Sequence, residues 1–236
     1  MIPLFTFLTP AHSCSYLPEQ TSQLRYDIVG ALTPEEYAER MAAGWRRFGH
    51  ALFRPECPAC QRCRSIRLDP RTFKPSATQK RVFKLNDGVI RRTVGNPAVS
   101  DDKLALHDKF HSYQSETKGW PHHGPKSESD YVESFVENPY PIQEWCYFLD
   151  DRLVGVGYVD PLPIGHSAIY FFYDPDEAHR SLGVWNVLSV IAGARKAAVP
   201  HVYLGYYVTG CRSLEYKAKY RPNQVLDNGV WRTFIE

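Results

Sequence analysis

SAIYFFYDPDEAHRSLGVWNVLSVIAGARKAAVPHVYLGYYV, residues 167–208, sets two aromatic runs on either side of a long helical pattern. SAIYFFY (167–173) and VYLGYYV (202–208) have the aromatic and β-branched composition of strands. The stretch between them reads as a loop opening into a helix around Arg180, Ser181 and Gly183. Upstream, QEWCYFL (143–149) and RLVGVGYV (152–159) are joined by Asp150 and Asp151, and with 167–173 they predict an antiparallel meander. Downstream, SLEYKAKY (213–220) predicts a short basic–aromatic helix, and QVLDNGVWRTF (224–234) predicts a hairpin.

Three antiparallel strands, a helix, a strand, a short helix and a last strand follow the order of the GCN5-type acyltransferase core. The expected fold class is therefore α+β: a GCN5-related N-acetyltransferase-like core behind a mixed, cysteine-bearing N-terminal region. In that region, TPEEYAERMAAGWRRFG (33–49) predicts a helix with Thr33 as N-cap, Glu36 closing a capping box, and Gly49 as its stop. Tyr37, Met41 and Trp45 would line one face of it. CRSIRLD (63–69) predicts a strand, and PSATQKRVFKLN (75–86) a second capped helix. SDDKLALHDKFHSYQ (100–114) and SESDYVESFVEN (127–138) predict two more helices. TVGNPAVSDD (93–102) reads as a linker, so domains of 1–98 and 99–236 are expected.

The formal net charge over 236 residues is only +2, too small for a protein that simply coats nucleic acid. Any such contact must come from a local patch, and residues 71–92 carry seven Lys or Arg against Asp87 alone. The N-terminus is apolar but lacks a leading positive residue and is interrupted by Pro3 and Pro10, which makes a poor export signal. No apolar run approaches the roughly 20 residues of a membrane span. A cytoplasmic protein with no membrane partner, acting as a monomer, is expected.

RPECPACQRCRSIRLDP (54–70) places Cys57, Cys60 and Cys63 at a constant spacing of three. Thiolates are soft ligands, and C-x-x-C turns two sulfurs toward one ion. A three-cysteine run with a remote fourth is an iron–sulfur pattern, and zinc is the alternative. Cys14 is the remote candidate, whereas Cys146 and Cys211 fall inside predicted core elements. Reduced thiols packing a turn remain the other reading.

CSYLP (14–18), RRFGHALFRPECPACQRCRSIRL (46–68) and FKPSATQKRVFKLND (73–87) resemble the N-terminal region of the arginyl-tRNA–protein transferase family. YFFYDPDEAHRSLGVW (170–185), YLGYYVTGCRSLEYKAKYRP (203–222) and VLDNGVW (225–231) resemble its C-terminal region. The compact length resembles the bacterial subgroup of aspartate/glutamate leucyltransferases. The resemblance implies transfer of leucine from leucyl-tRNA to proteins beginning with Asp or Glu, which marks them for degradation by the N-end rule. It leaves arginine open as the donor, and it implies an iron–sulfur cluster or zinc at Cys14, Cys57, Cys60 and Cys63. This trio departs from the adjacent cysteine pair of eukaryotic members.

Aminolysis of an activated ester sets the tasks. An α-amine with a pKa of roughly 8 is partly neutral at cellular pH, so alignment matters more than a strong base. Arg64, Arg67, Lys80 and Arg81 are candidates for the acceptor carboxylate, since a guanidinium fork suits it. Tyr206, Tyr207 and Asp174, at strand ends, are the candidates beside the reacting centre. Tyr173, Arg180, Ser181, Gly183, Lys217 and Arg221 are candidates for the aminoacyl end of the tRNA, through helix N–H groups and cations beside tyrosines. Two rival readings share these residues: an acetyl-CoA acyltransferase on the same core, and a non-catalytic metal module that binds acidic N-termini.

Overall fold

The computed structural model describes residues 1–122 and 124–234. Eight strands form the central sheet, in the spatial order Val230–Thr233, Asn223–Asp227, Cys63–Leu68, Val202–Val208, Gly165–Tyr173, Arg152–Leu162, Gln143–Leu149 and Ile90–Gly95. The meander from 143 to 173 forms as its alternation suggests, turned at Asp150, which takes a positive φ. The helix Leu182–Lys196 then carries the chain to Val202–Val208, which runs parallel to Gly165–Tyr173. This helix is apolar nearly all round. Trp185, Leu188, Ile191 and Ala194 are buried against Trp145, Tyr147 and Val202 on one face of the sheet.

Two strands from the first half enter this sheet. Cys63–Leu68 lies between Asn223–Asp227 and Val202–Val208, antiparallel to both, and Ile66 and Leu68 are wholly buried there. Ile90–Gly95 pairs with Gln143–Leu149 as the far edge. Its end overlaps the stretch expected to be a linker from residue 93. Buried Ile90 anchors the strand, while Arg91 and Arg92 cover the rings of Phe148 and Trp145 at 4.4 and 4.5 Å. The expected division near residue 98 falls between this strand and the helix Asp101–Lys118, and strands from both sides of it share the sheet.

The capping boxes form at Thr33 and Ser76, each closed by its Glu or Gln. The first helix is shorter than its apolar spacing suggests, spanning Pro34–Ala42 instead of running to Gly49. Gly44 takes a φ of +86°, and the N–H groups of Gly44 and Trp45 turn back onto the carbonyls of Met41 and Arg40. That closure frees Arg46–Phe48 to become a strand. It joins a second, four-stranded sheet in the order Phe5–Leu8, Leu24–Ile28, Ala51–Pro55, Arg46–Phe48.

Strand alternation gives this small sheet two distinct rows. Thr6, Asp27, Leu52 and Arg47 are register partners in one row; Phe7, Tyr26, Phe53 and Arg46 are partners in the other. In the first row, Arg47 reaches the central sheet. Its Nη2 and Nε donate to Asp160 at 2.7 and 3.1 Å, and the Tyr37 hydroxyl donates to the same carboxylate. Arg47 also donates to the Gly49 carbonyl and the Asn138 side chain. Both charged side chains are essentially removed from solvent, so losing either partner alone costs about 3–5 kcal/mol. Among the described residues no helix is long and apolar enough to cross a membrane.

Candidate active site

The parallel strands Gly165–Tyr173 and Val202–Val208 pair only at His166 with Val202 and Ser167 with Tyr203. Beyond that point they part, and Val202–Val208 bulges against Cys63–Leu68 between Tyr203 and Tyr206. Gly205 sits in the bulge with a φ of +87°. The split opens at the carboxyl ends of the two strands, where open sheets with crossover helices hold their ligands.

Two cations fill it. Arg46 Nη2 donates to the Ala168 carbonyl on one departing strand at 2.8 Å, and Lys217 Nζ donates to the Tyr206 carbonyl on the other at 2.8 Å. Both approach Gly205: a side chain begun there would meet Lys217 Nζ at 3.2 Å and Arg46 Nη2 at 3.7 Å. Arg46 is only 6% exposed, and neither cation forms an ion pair among the described residues. Burial, reinforced by the Arg46 charge, pulls the Lys217 ammonium down to about 7. Burial also lowers Arg46, against the pull of Tyr37, Tyr206 and Asp160. Buried Arg46 beside half-buried Lys217, each with only a carbonyl partner, is poised to receive negative charge. Sequence reasoning placed Lys217 among the ligands of the donor and missed Arg46, because Arg46 lay inside the overextended first helix.

The other expected residues separate into three groups. Tyr206 and Tyr207 are buried beside the split. The Tyr206 hydroxyl donates to the carbonyls of Gly44 and Phe53, while the Tyr207 ring packs on Phe234. Burial holds the Tyr206 hydroxyl far above its ordinary pKa, even with Arg46 nearby. Asp174 begins the turn Pro175–Arg180 and accepts the Asp176 N–H. It is bound by Lys109 at 2.6 Å and by Arg152. Burial alone would raise its carboxyl, but the Lys109 hydrogen bond, the Asp176 N–H and the neighbouring cations outweigh it and hold it below the usual range.

The expected acceptor-binding cations do not lie together. Arg64 stacks on Tyr207 and Phe234, and Arg67 covers Trp231 at 4.1 Å while donating to Gln224. Lys80 and Arg81 are exposed on the helix Ala77–Asn86. Arg81 lines a groove of about 530 Å³ with Thr78, Val82, Lys84, Leu85, His179 and Ser181. The groove therefore joins one residue expected for the acceptor to one expected for the donor. Ser181 stands in the left-handed region at the start of Leu182–Lys196, and the space beside Gly183 is open. Arg180 donates to Glu177, Tyr173 packs on Phe110, and exposed Arg221 donates to the Ala218 carbonyl.

Cys14, Cys57, Cys60 and Cys63 are free and half-buried. Cys14 and Cys63 pack in one apolar cluster with Leu17, Tyr206, Val208 and Cys211. Burial and the proximity of Cys14, Cys57, Cys60 and Cys211 push the Cys63 thiol up to about 12. Cys211, expected to be an ordinary core thiol, thus joins this neighbourhood. Among the described residues no three His, Cys, Asp or Glu side chains are arranged to hold a metal ion. The donor types suit zinc or an iron–sulfur cluster, but the geometry does not form the site.

The fold and site define a mixed α/β chain with two cations, Arg46 and Lys217, at the mouth of a split strand pair. The family follows from comparison. Residues 12–81 match the family model for the arginine-tRNA-protein transferase N terminus, and residues 103–227 match that for its C terminus, so the chain belongs to the arginine-tRNA-protein transferase family. It is 36% identical over 225 residues to the aspartate/glutamate leucyltransferase of Campylobacter jejuni serotype O:6, covering 93% of this chain and 92% of that one. It is 37% identical over 227 residues to the protein of the same name from Pseudomonas fluorescens, covering 95% and 94%. Among solved structures, the C-terminal domain of a putative lysylphosphatidylglycerol synthetase from Agrobacterium fabrum shares the fold with a TM-score of 0.53 at 14% identity, over 86% of this chain and 64% of that one.

The Asp174 cluster has a pH signature. Its carboxyl is depressed in the folded state, so its stabilisation is complete above the unfolded pKa of about 4 and is lost as pH falls through the lower folded value. Urea unfolding of the wild type and Asp174→Asn should show a stability gap that is constant between about pH 5 and 7 and narrows below about pH 4. A gap that does not change with pH would contradict the ion-pair assignment.

Proposed function

We propose that the protein transfers the leucyl group of leucyl-tRNA to the α-amine of proteins beginning with Asp or Glu. The observation that carries this reading is the unpaired Arg46–Lys217 crevice at the strand split, within a chain related along nearly its whole length to aspartate/glutamate leucyltransferases. The meander 143–173, the helix Leu182–Lys196 and the strand Val202–Val208 act as a GCN5-type core, and the protein works in the cytoplasm, where charged tRNA is found.

The neutral acceptor amine attacks the ester carbonyl of leucine. A C–N bond forms, the carbonyl oxygen takes up negative charge, and the C–O bond to the terminal ribose breaks. The amine's proton passes to the ribose oxygen as it leaves. Arg46 and Lys217 present N–H donors to the carbonyl oxygen, stabilising a charge that develops only in the transition state. Tyr206 acts by position: its hydroxyl binds the small sheet to the split strand, so the donors stay fixed. Alignment of amine and ester supplies the rest, with effective molarities of about 10⁵ M or more.

The acceptor enters from the groove beside Ala77–Asn86. Its side-chain carboxylate meets Arg81, with Lys80 and Lys84 adding positive charge, the start of Leu182–Lys196 adding the N–H of Gly183, and Ser181 offering its hydroxyl. Asp174 keeps that turn in place through Lys109 and Arg152. Arg64 and Arg67 hold the sheet edge through their aromatic contacts. The thiols of Cys14, Cys57, Cys60 and Cys63 would have to draw together to hold zinc or an iron–sulfur cluster, which would serve apart from the transfer step.

Incubation with labelled leucyl-tRNA and a peptide beginning with Asp should move label to that peptide. The same peptide beginning with Ala should stay unlabelled, and labelled arginyl-tRNA should transfer poorly. Absence of transfer from either tRNA to the acidic peptides would overturn the reading. Protein purified anaerobically should carry zinc or iron that is lost in Cys60→Ser, and metal-free wild-type protein would remove the metal from the account.

A further inference from the structure

The second row of the small sheet is aromatic and open. Phe7 faces Tyr26 across the strands with ring centroids 5.1 Å apart and planes within 10°, and Tyr26 faces Phe53 at 5.7 Å. Phe5 extends the row outward, 5.5 Å from Phe7. Inward, Phe53 meets Tyr206 at 6.4 Å and is the register partner of Arg46. The row therefore runs from the sheet edge to the strand split. Its outer rings are uncovered, with Phe5 62% and Phe7 37% exposed, and Tyr16 is 42% exposed nearby. Water-facing rings in line are a cost that core packing does not explain, since the opposite row, with Leu52 wholly buried, faces the core.

We infer that this aromatic row is the track for the single-stranded 3′ end of the aminoacyl-tRNA, an assignment that rests on the leucyl-tRNA reading. Unpaired bases present flat faces that stack on exposed rings without regard to sequence, and sheet surfaces carrying aromatics are a recurrent platform for them. Charge runs the same way. The row ends at Arg46 and Lys217, whose hydrogen-bond partners are backbone carbonyls, so positive charge stands where the ester must stop. A membrane surface fits poorly, because the outer end of the row has exposed Phe5 and Phe7 without a ring of cations on the strand Phe5–Leu8. The acceptor is recognised by its acidic terminus, for which the rings offer no partner. Donor and acceptor then approach from the small-sheet side and the Ala77–Asn86 side, and meet at the split.

The test compares binding of an intact deacylated tRNA with the same tRNA lacking its unpaired 3′ nucleotides, at one salt concentration, for wild type, Phe5→Ala, Phe7→Ala and Phe7→Trp. Phe5 and Phe7 sit on an exposed edge strand, so thermal melting should barely move. Wild type should prefer the intact tRNA by about 10-fold or more. Phe5→Ala and Phe7→Ala should each reduce that preference several-fold by weakening only the intact tRNA, Phe7→Trp should keep it, and the KM for the Asp peptide should hold. An unchanged preference in both alanine variants of a protein that transfers leucine would overturn the inference. So would a rise in peptide KM with tRNA binding intact, which would assign the face to the acceptor. A wild type that transfers nothing from leucyl-tRNA would instead bring down the functional reading itself.

Discussion

Arg46 and Arg47 are neighbours in the chain and opposites in environment. The three-residue strand that holds them sends one guanidinium to each face of the small sheet. Arg47 meets Asp160, which is wholly buried, and their charges cancel in a site closed by Tyr37, Gly49 and Asn138. Arg46 meets only a carbonyl of the split strand. The first pairing locks the small sheet to the central one, with register fixed by a carboxylate that cannot be left alone in the interior. The second consequence follows from the lock: wherever Arg47 is held, Arg46 is delivered to the mouth of the split with its charge uncancelled.

The two halves of the chain work together through that lock. Cys63–Leu68 from the first half lies beside the split strand and shares its hydrogen bonds, so the wall of the site belongs to both halves. Tyr206 reinforces the joint by donating to Gly44 and Phe53. The main sheet then separates two approaches, the groove on the Ala77–Asn86 side and the aromatic row of the small sheet on the other. An enzyme joining a nucleic-acid-borne ester to a protein amine needs two such entrances.

Much of the architecture was legible in local chemistry. The meander, both capping boxes, the crossover helix and the terminal hairpin follow from alternation, N-cap residues and the Asn228–Gly229 turn, because each depends on neighbours close in sequence. What escaped depends on distant partners. Trp45 continues the spacing of Tyr37 and Met41, and nothing local reveals that Gly44 will turn left-handed and release Arg46 into a strand. Residues 93–95, the end of the strand Ile90–Gly95, looked like the start of a linker because the strand's support comes from Phe148 and Trp145, over fifty residues away. The site was half visible. The basic–aromatic run gave Lys217, but the meaning of Lys217 lies in Arg46 and Gly205, which the chain brings to it only when folded. The arginines most suited by type to a carboxylate, Arg64 and Arg67, proved to be held by rings.

If the Arg46–Lys217 pair stabilises the charge formed as the ester opens, loss of Arg46 must slow the transfer step itself. A single-turnover measurement tests it directly: leucyl-tRNA and a saturating Asp peptide are mixed with excess wild type or Arg46→Gln, and the rate of label transfer is followed. Arg46→Gln should lower the rate at saturation by about 10²-fold, with near-native tRNA and peptide affinities and a native melting temperature. A saturating rate equal to wild type, with the loss appearing only in affinity, would contradict it.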